Sequence, residues 1–172
     1  MRLESQTVAR LDVLRGGTSS DVDSLSQLVL DNSSTSITND ETDTYNEDSY
    51  CPPSPIVDYI IEEIIESFKE TTRMDIVARN YWGHIHKKNM STNIHKHSPH
   101  FLASVVYLSV PQGSGSIIFH PYGYNNDHKG IIEPEKSMFL LFPGWLEHSV
   151  TRNKSDDSRV SLSFNFDLLS KD

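Results

Sequence analysis

The chain has 172 residues, an apolar fraction of 36% and a formal net charge of −9, which suits one globular domain with a moderate core. That acidity argues against general nucleic-acid binding, and no run approaches the ~18 consecutive apolar residues of a membrane span. Cys51 is the single cysteine and Met1–Ser20 holds no secretory apolar stretch, so no intrachain disulfide forms and a reducing cytoplasm is the expected compartment.

Charge and histidine divide the chain. Residues 1–50 carry −7 of the net charge, and all eight histidines lie between His84 and His148. The expected organisation is an acidic, polar front over 1–50, partly disordered or loosely packed, and a folded domain over 51–172. Leu11–Leu30 admits a short strand or a short helix. Asp31–Tyr50 is polar, acidic and aperiodic, as expected of a mobile stretch.

Pro52, Pro53 and Pro55 punctuate the chain. Ile56, Tyr59, Ile60, Ile64 and Phe68 then recur at helical spacing, with Glu62, Glu63, Glu66 and Lys69 between them. Ser54 suits the N-cap and Pro55 the first turn, so a helix over Pro55–Lys69 is predicted to pack its apolar stripe on a sheet. Strand signals follow at Asp75–His86, Phe101–Val110, Ser116–Phe119, Ser137–Phe142 and Val160–Phe166. Pro111–Ser116 reads as a turn and 120–136 as a long loop. Many strands after one helix predict a mainly β fold, a barrel or sandwich supported by that helix.

Three groups of residues carry chemistry. In His95-Lys96-His97, positions i and i+2 of a strand share a face, so two imidazoles can share one metal; alone, such a pair is more often a polar surface stretch. His148 follows the apolar run MFLLFP and the Pro143-Gly144 turn, a place from which a histidine can meet two others on a facing strand. In RVSLSFNF, Val160, Leu162, Phe164 and Phe166 form one face, and Arg159, Ser161, Ser163 and Asn165 the other. In a small barrel the polar face can line a ligand pocket, where the planar fork of Arg159 is a natural partner for a carboxylate.

In order, these are HxH, a strand containing Tyr107, the Gly113-Ser114-Gly115 turn, FP-x3-EH, and Arg159-x-Ser161 eleven positions after His148. Over NIHKHSPHFLASVVYLSVPQGSG, EPEKSMFLLFPGWLEHSV and SRVSLSFNF the chain resembles the double-stranded β-helix oxygenases that use iron(II) and 2-oxoglutarate. The similarity spans about Asn80 to Asp167. It is closest to a group of small oxygenases of this kind common in bacterial and bacteriophage genomes, and more distant to prolyl hydroxylases. The resemblance implies a jelly-roll, cupin-like barrel. It places His95 and His148 as iron ligands, Arg159 on the far carboxylate of 2-oxoglutarate, Ser161 beside it, and Tyr107 as a further contact to that carboxylate.

The chain departs from the wider superfamily at His97, where an Asp or Glu usually completes the ligand set. The smaller group often shows HxH itself. His97, which occupies that slot, is the expected third ligand beside His95 and His148, with the carboxylates Glu147 and Asp127 as alternatives. ASVVY stands where the group has SGVYY, and Ser137 where it has glycine. The implied activity is a dioxygenase that takes iron(II), 2-oxoglutarate and O2, hydroxylates a C–H bond and releases succinate and CO2. The substrate would be a small molecule or a protein side chain. Asn93, Tyr122, Tyr124, Trp145 and Asn165 are the candidate substrate contacts, with 120–136 as a lid. His84, His86, His100, His120 and His128 are expected at loops or the pocket rim. Two alternatives remain: a three-histidine cupin dioxygenase without 2-oxoglutarate, and a non-enzymatic ligand-binding barrel.

Overall fold

The alternating run near the end of the sequence becomes the centre of the fold. In the computed structural model, which describes residues 3–8, 11–33, 47–122 and 129–169, the front of the chain supplies β1 (Glu4–Val8), β2 (Leu11–Gly17), α1 (Val22–Asp31) and β3 (Glu47–Ser49). There follow α2 (Pro55–Thr72), β4 (Ile76–His86), β5 (Thr92–His95), β6 (Leu102–Ser109) and β7 (Ile117–Phe119). The last elements are β8 (Gly130–Ile132), β9 (Met138–Pro143), β10 (His148–Val150) and β11 (Arg159–Leu168). The strands form a seven-stranded sheet, β1-β2-β9-β6-β11-β4-β3, and a four-stranded sheet, β5-β10-β7-β8. The described strand pairings are antiparallel throughout. The two sheets pack face to face as a double-stranded β-helix, the predicted fold.

Side-chain alternation makes two cores from one large sheet. The outer face of β11, with Val160, Leu162, Phe164 and Phe166, joins Val106 and Leu108 of β6 beneath both helices. Between the sheets lie Val13, Val105, Leu140, Phe119, Ile132 and Phe142. The other face of β11 therefore turns inward, so its polar residues line the interior.

Helix α2 begins as the sequence predicts. The Ser54 hydroxyl accepts from the Val57 N–H at 3.3 Å, with Pro55 in the first turn. It runs three residues past the predicted end, to a left-handed Arg73 (φ 65°) whose N–H returns to the Lys69 carbonyl at 2.9 Å. Its buried stripe is Val57, Ile60, Ile64, Ser67 and Phe68, under the large sheet. Tyr59, expected in that stripe, is half exposed: at 100° per residue it lies well off the line from Val57 to Phe68. Leu11–Leu30 resolves into both of its alternatives, strand β2 and then helix α1. The predicted loop 120–136 contains strand β8. Residues 34–46 of the expected mobile stretch, and 123–128 of that loop, lie outside the described residues.

Asn153 ties the end of β4 to the segment entering β11. It is fully buried, and its Nδ2 donates to the carbonyls of His86 (2.7 Å) and Asp157 (2.9 Å) while its Oδ1 accepts from the Ser155 N–H (2.8 Å). Asn153→Ala leaves buried carbonyls without donors and is expected to cost about 2–4 kcal/mol. That corresponds to a fall in Tm of roughly 5–15 °C by calorimetry; an unchanged Tm would refute this role.

Candidate metal centre

The shorter sheet brings the histidines together. His95 ends β5, and the register sets it directly opposite His148 at the start of β10, with ring centroids 4.2 Å apart. His97 lies two residues past the end of β5 rather than in the strand. Its N–H donates to the Gly144 carbonyl at 2.8 Å, and its own carbonyl accepts from the His100 N–H at 3.0 Å. Gly144 is required there, since a Cβ would sit 2.1 Å from the His100 carbonyl oxygen. The Pro-Gly turn seen in the sequence thus fixes the loop that carries His97.

Hydrogen bonding gives all three rings the same protonation pattern. Nδ1–H of His95 donates to the Asn93 carbonyl, that of His148 to the Leu146 carbonyl, and that of His97 to Oδ1 of Asn165, each at 2.9 Å. With the proton on Nδ1, each Nε2 carries a lone pair. The ligand atoms of the three rings lie within 4.8 Å of one another, and Nε2 of His97 and His148 are 3.3 Å apart. Metal–imidazole bonds of about 2.0–2.1 Å put two ligand nitrogens roughly 3–3.4 Å apart. The His97–His148 pair has that spacing, and the three ligand atoms lie close enough together to share one divalent ion. Among the described residues no other set of His, Cys, Asp or Glu side chains has metal-binding spacing, and Glu147 is not part of this one. Asp127 lies outside the described residues.

Burial keeps the His97 and His148 rings neutral, as metal ligands must be. It lowers the His97 pKa to about 4, helped by the neighbouring His95, and holds His148 well below the ordinary value. His86, also buried, is shifted the same way by burial and then by Arg159. Neutral histidine is favoured in the fold and protonated histidine in the unfolded chain. Stability from these rings is therefore complete above about pH 6.5 and declines as pH falls from there toward 4. The metal-free protein should lose Tm steadily between pH 7 and 5; a flat or rising Tm on acidification would contradict it.

The same cavity holds the cation expected from the polar face of β11. Arg159 is 2% exposed and has no acidic partner among the described residues. Its Nη1 donates to the carbonyls of Ser114 and Gly115 (3.2 and 3.3 Å), and its Nη2 to Nδ1 of His86 at 3.2 Å. Arginine only donates, so His86 carries its proton on Nε2 and gives it to Thr92 Oγ1 at 2.7 Å. Nε of Arg159 is buried with no partner. A guanidinium without a counter-charge in such a place calls for an anionic ligand. Tyr107 and Ser161, adjacent across β6 and β11, line the cavity between Arg159 and the histidines. Burial pushes the Tyr107 phenol up to about 12, so it stays a donor.

The other expected residues are placed differently. Asn93, Tyr122, Trp145 and Asn165 are not among the cavity's lining residues. Tyr122 and Trp145 are about half exposed, and Asn165 stands behind His97. Tyr124 and His128 lie outside the described residues. His120 is buried, with Nε2 2.9 Å from Ser149 Oγ, and His100 meets Asp167 at 3.2 Å. His84 and His86 are not loop residues: they stand on β4, opposite Ser161 and Arg159, and line the cavity, with His86 buried. The signal for them was the period-two series Trp82-His84-His86, which puts all three on one face of a strand.

Residues 80–165 match the model of a family described as "Putative 2OG-Fe(II) oxygenase". No curated protein sequence matches the chain at a significant level. Among solved structures it is similar to a Pseudomonas putida prolyl-4-hydroxylase (14% identity, 90% of this chain and 92% of that one, TM-score 0.67). It is also similar to a Trichoplax adhaerens prolyl hydroxylase in complex with a hypoxia inducible factor peptide (13%, 90% and 82%, TM-score 0.68). A third is the epimerase SnoN in complex with Fe3+, alpha ketoglutarate and nogalamycin RO (12%, 90% and 78%, TM-score 0.71). At these identities the structural likeness is one of fold.

Proposed function

The chain belongs to the 2OG-Fe(II) oxygenase family, and from that premise we propose that it is a hydroxylase that inserts oxygen into a C–H bond, releasing succinate and CO2. The observation that carries this reading is a single cavity lined both by three converging Nε2 lone pairs and by a buried guanidinium with no acidic partner among the described residues. Iron(II) and 2-oxoglutarate, which the family uses, supply the activation of O2.

The residues divide the remaining work. His95, His97 and His148 hold the metal as neutral donors, so a dianionic cosubstrate balances the charge of a divalent ion. Arg159 grips the distal carboxylate, with Tyr107 and Ser161 donating beside it. Phe142 packs edge-on against the His148 ring at 4.8 Å, and Ile117 and Val150 complete an apolar wall that limits water. The proposed substrate is a small molecule or a protein side chain. No described helix is long and apolar enough to cross a membrane.

The test is an anaerobic titration of the protein with iron(II) and 2-oxoglutarate, followed by admission of air. A weak visible charge-transfer band, then succinate formed in step with 2-oxoglutarate consumed, is the expected result. Iron binding without 2-oxoglutarate consumption would overturn the proposal in favour of a three-histidine dioxygenase. Binding of neither would leave a ligand-binding barrel.

A further inference from the structure

His97 differs from the other two rings in what holds it. His95 and His148 each donate Nδ1–H to a main-chain carbonyl two residues earlier, so their own backbone fixes the tautomer. His97 instead relies on a side chain from the other sheet, Oδ1 of Asn165 at 2.9 Å. An amide has two faces. Turned over, it would offer N–H to Nδ1 and force the proton onto Nε2, which points at His148 Nε2 only 3.3 Å away. Asn80 opposes that reversal: its Oδ1 accepts from Nδ2 of Asn165 at 2.8 Å. The two asparagines are register partners at the bulge that follows Asn165 in β11. Trp82, on the same strand as Asn80, stacks against the His97 ring (5.7 Å, 27°) and steadies its plane.

We propose that Asn165, oriented by Asn80, is the positioning residue of His97, setting the tautomer that turns the third Nε2 lone pair toward the metal. The inference rests on the three-histidine centre described above. A hydrogen-bond acceptor behind a ligating imidazole orients the ring and raises its basicity, and loss of such a partner typically costs about 10–100-fold in metal affinity. The buried position of Asn165, 6% exposed and off the cavity wall, suits that role.

The experiment uses the full chain loaded with cobalt(II), read by equilibrium affinity and by proton NMR of the hyperfine-shifted imidazole N–H signals. The parent should show three such exchangeable signals, one per Nδ1–H. Asn165→Leu should bind cobalt about 10–100-fold more weakly and lose one signal to fast exchange. Asn165→Asp, which can only accept, should restore both affinity and signal. Asn80→Ala lies at an exposed position and tests the same relay if Asn165→Leu does not fold; it should weaken binding in the same direction. Parent-like affinity with three signals in Asn165→Leu or in Asn80→Ala would overturn the proposal, as would Asn165→Asp falling as far as Asn165→Leu. A parent that binds no cobalt, or shows fewer than three signals, would instead overturn the three-histidine centre, and the positioning role with it.

Discussion

His97→Ala is expected to lower iron(II) affinity by more than about 100-fold while leaving the fold in place. Loss of a partner behind a ligand typically costs about 10–100-fold, and loss of the ligand itself removes more. Two imidazoles alone are a weak site for iron(II), low in the affinity order of the divalent metals. The fold should tolerate the change because His97 lies beyond the end of β5 and contributes to the chain path through its backbone bonds to Gly144 and His100, which alanine keeps. Anaerobic equilibrium titration, with a thermal melt on the same sample, checks both halves. Undiminished iron affinity in a folded His97→Ala protein would remove His97 from the ligand set and reopen it to a carboxylate.

Arg159→Ala should separate cosubstrate from metal. A guanidinium–carboxylate bond inside a cavity is worth about 2–4 kcal/mol, since its loss leaves a charge unpaired. That is roughly 30–1,000-fold in affinity for 2-oxoglutarate. Iron(II) binding should change little, because Arg159 bonds to Ser114, Gly115 and His86 and to none of the three converging rings. Arg159→Lys should rescue poorly, as a single ammonium cannot reproduce the planar fork. Calorimetric titration of 2-oxoglutarate into the iron-loaded protein without oxygen distinguishes these outcomes. Equal affinity in parent and Arg159→Ala would show that the dicarboxylate binds elsewhere.

What could be read from the sequence was whatever repeats over a single element. The period of two in RVSLSFNF showed both faces of β11, including the inward turn of its polar side, and helical spacing showed α2. HxH and the histidine after the Pro-Gly turn pointed to residues that the fold brings within ligand distance of each other. Contacts set by register across strands left no local trace. Nothing in the chain couples His86 to Arg159, or Asn165 to His97, until β11 is laid beside β4 and the short sheet closes over it. Strands β8 and β10, three residues each, are too short to display a period. In the front of the chain, β2 contains Gly16 and Gly17, which lower strand propensity. Gly16 is nonetheless needed where it is, because the ring of Phe139 fills the space a Cβ would take.

The place of β11 in the large sheet has a consequence for how the molecule comes into being on the ribosome. It is the last described element to be synthesised, yet it is hydrogen-bonded on one side to β6 and on the other to β4. Until it emerges, β1, β2, β9 and β6 can pair as one ribbon and β4 with β3 as another, with no strand to join them. Closure therefore awaits the final strand, and its long-range pairings make it the slow step of a fold of this topology. The same strand delivers Arg159, Ser161 and Asn165, so a nascent chain can assemble its histidines only loosely before the cavity that gives them purpose exists. Release of a chain cut short within β11 should yield two unjoined ribbons, a substrate for chaperones and proteases rather than a weakened enzyme.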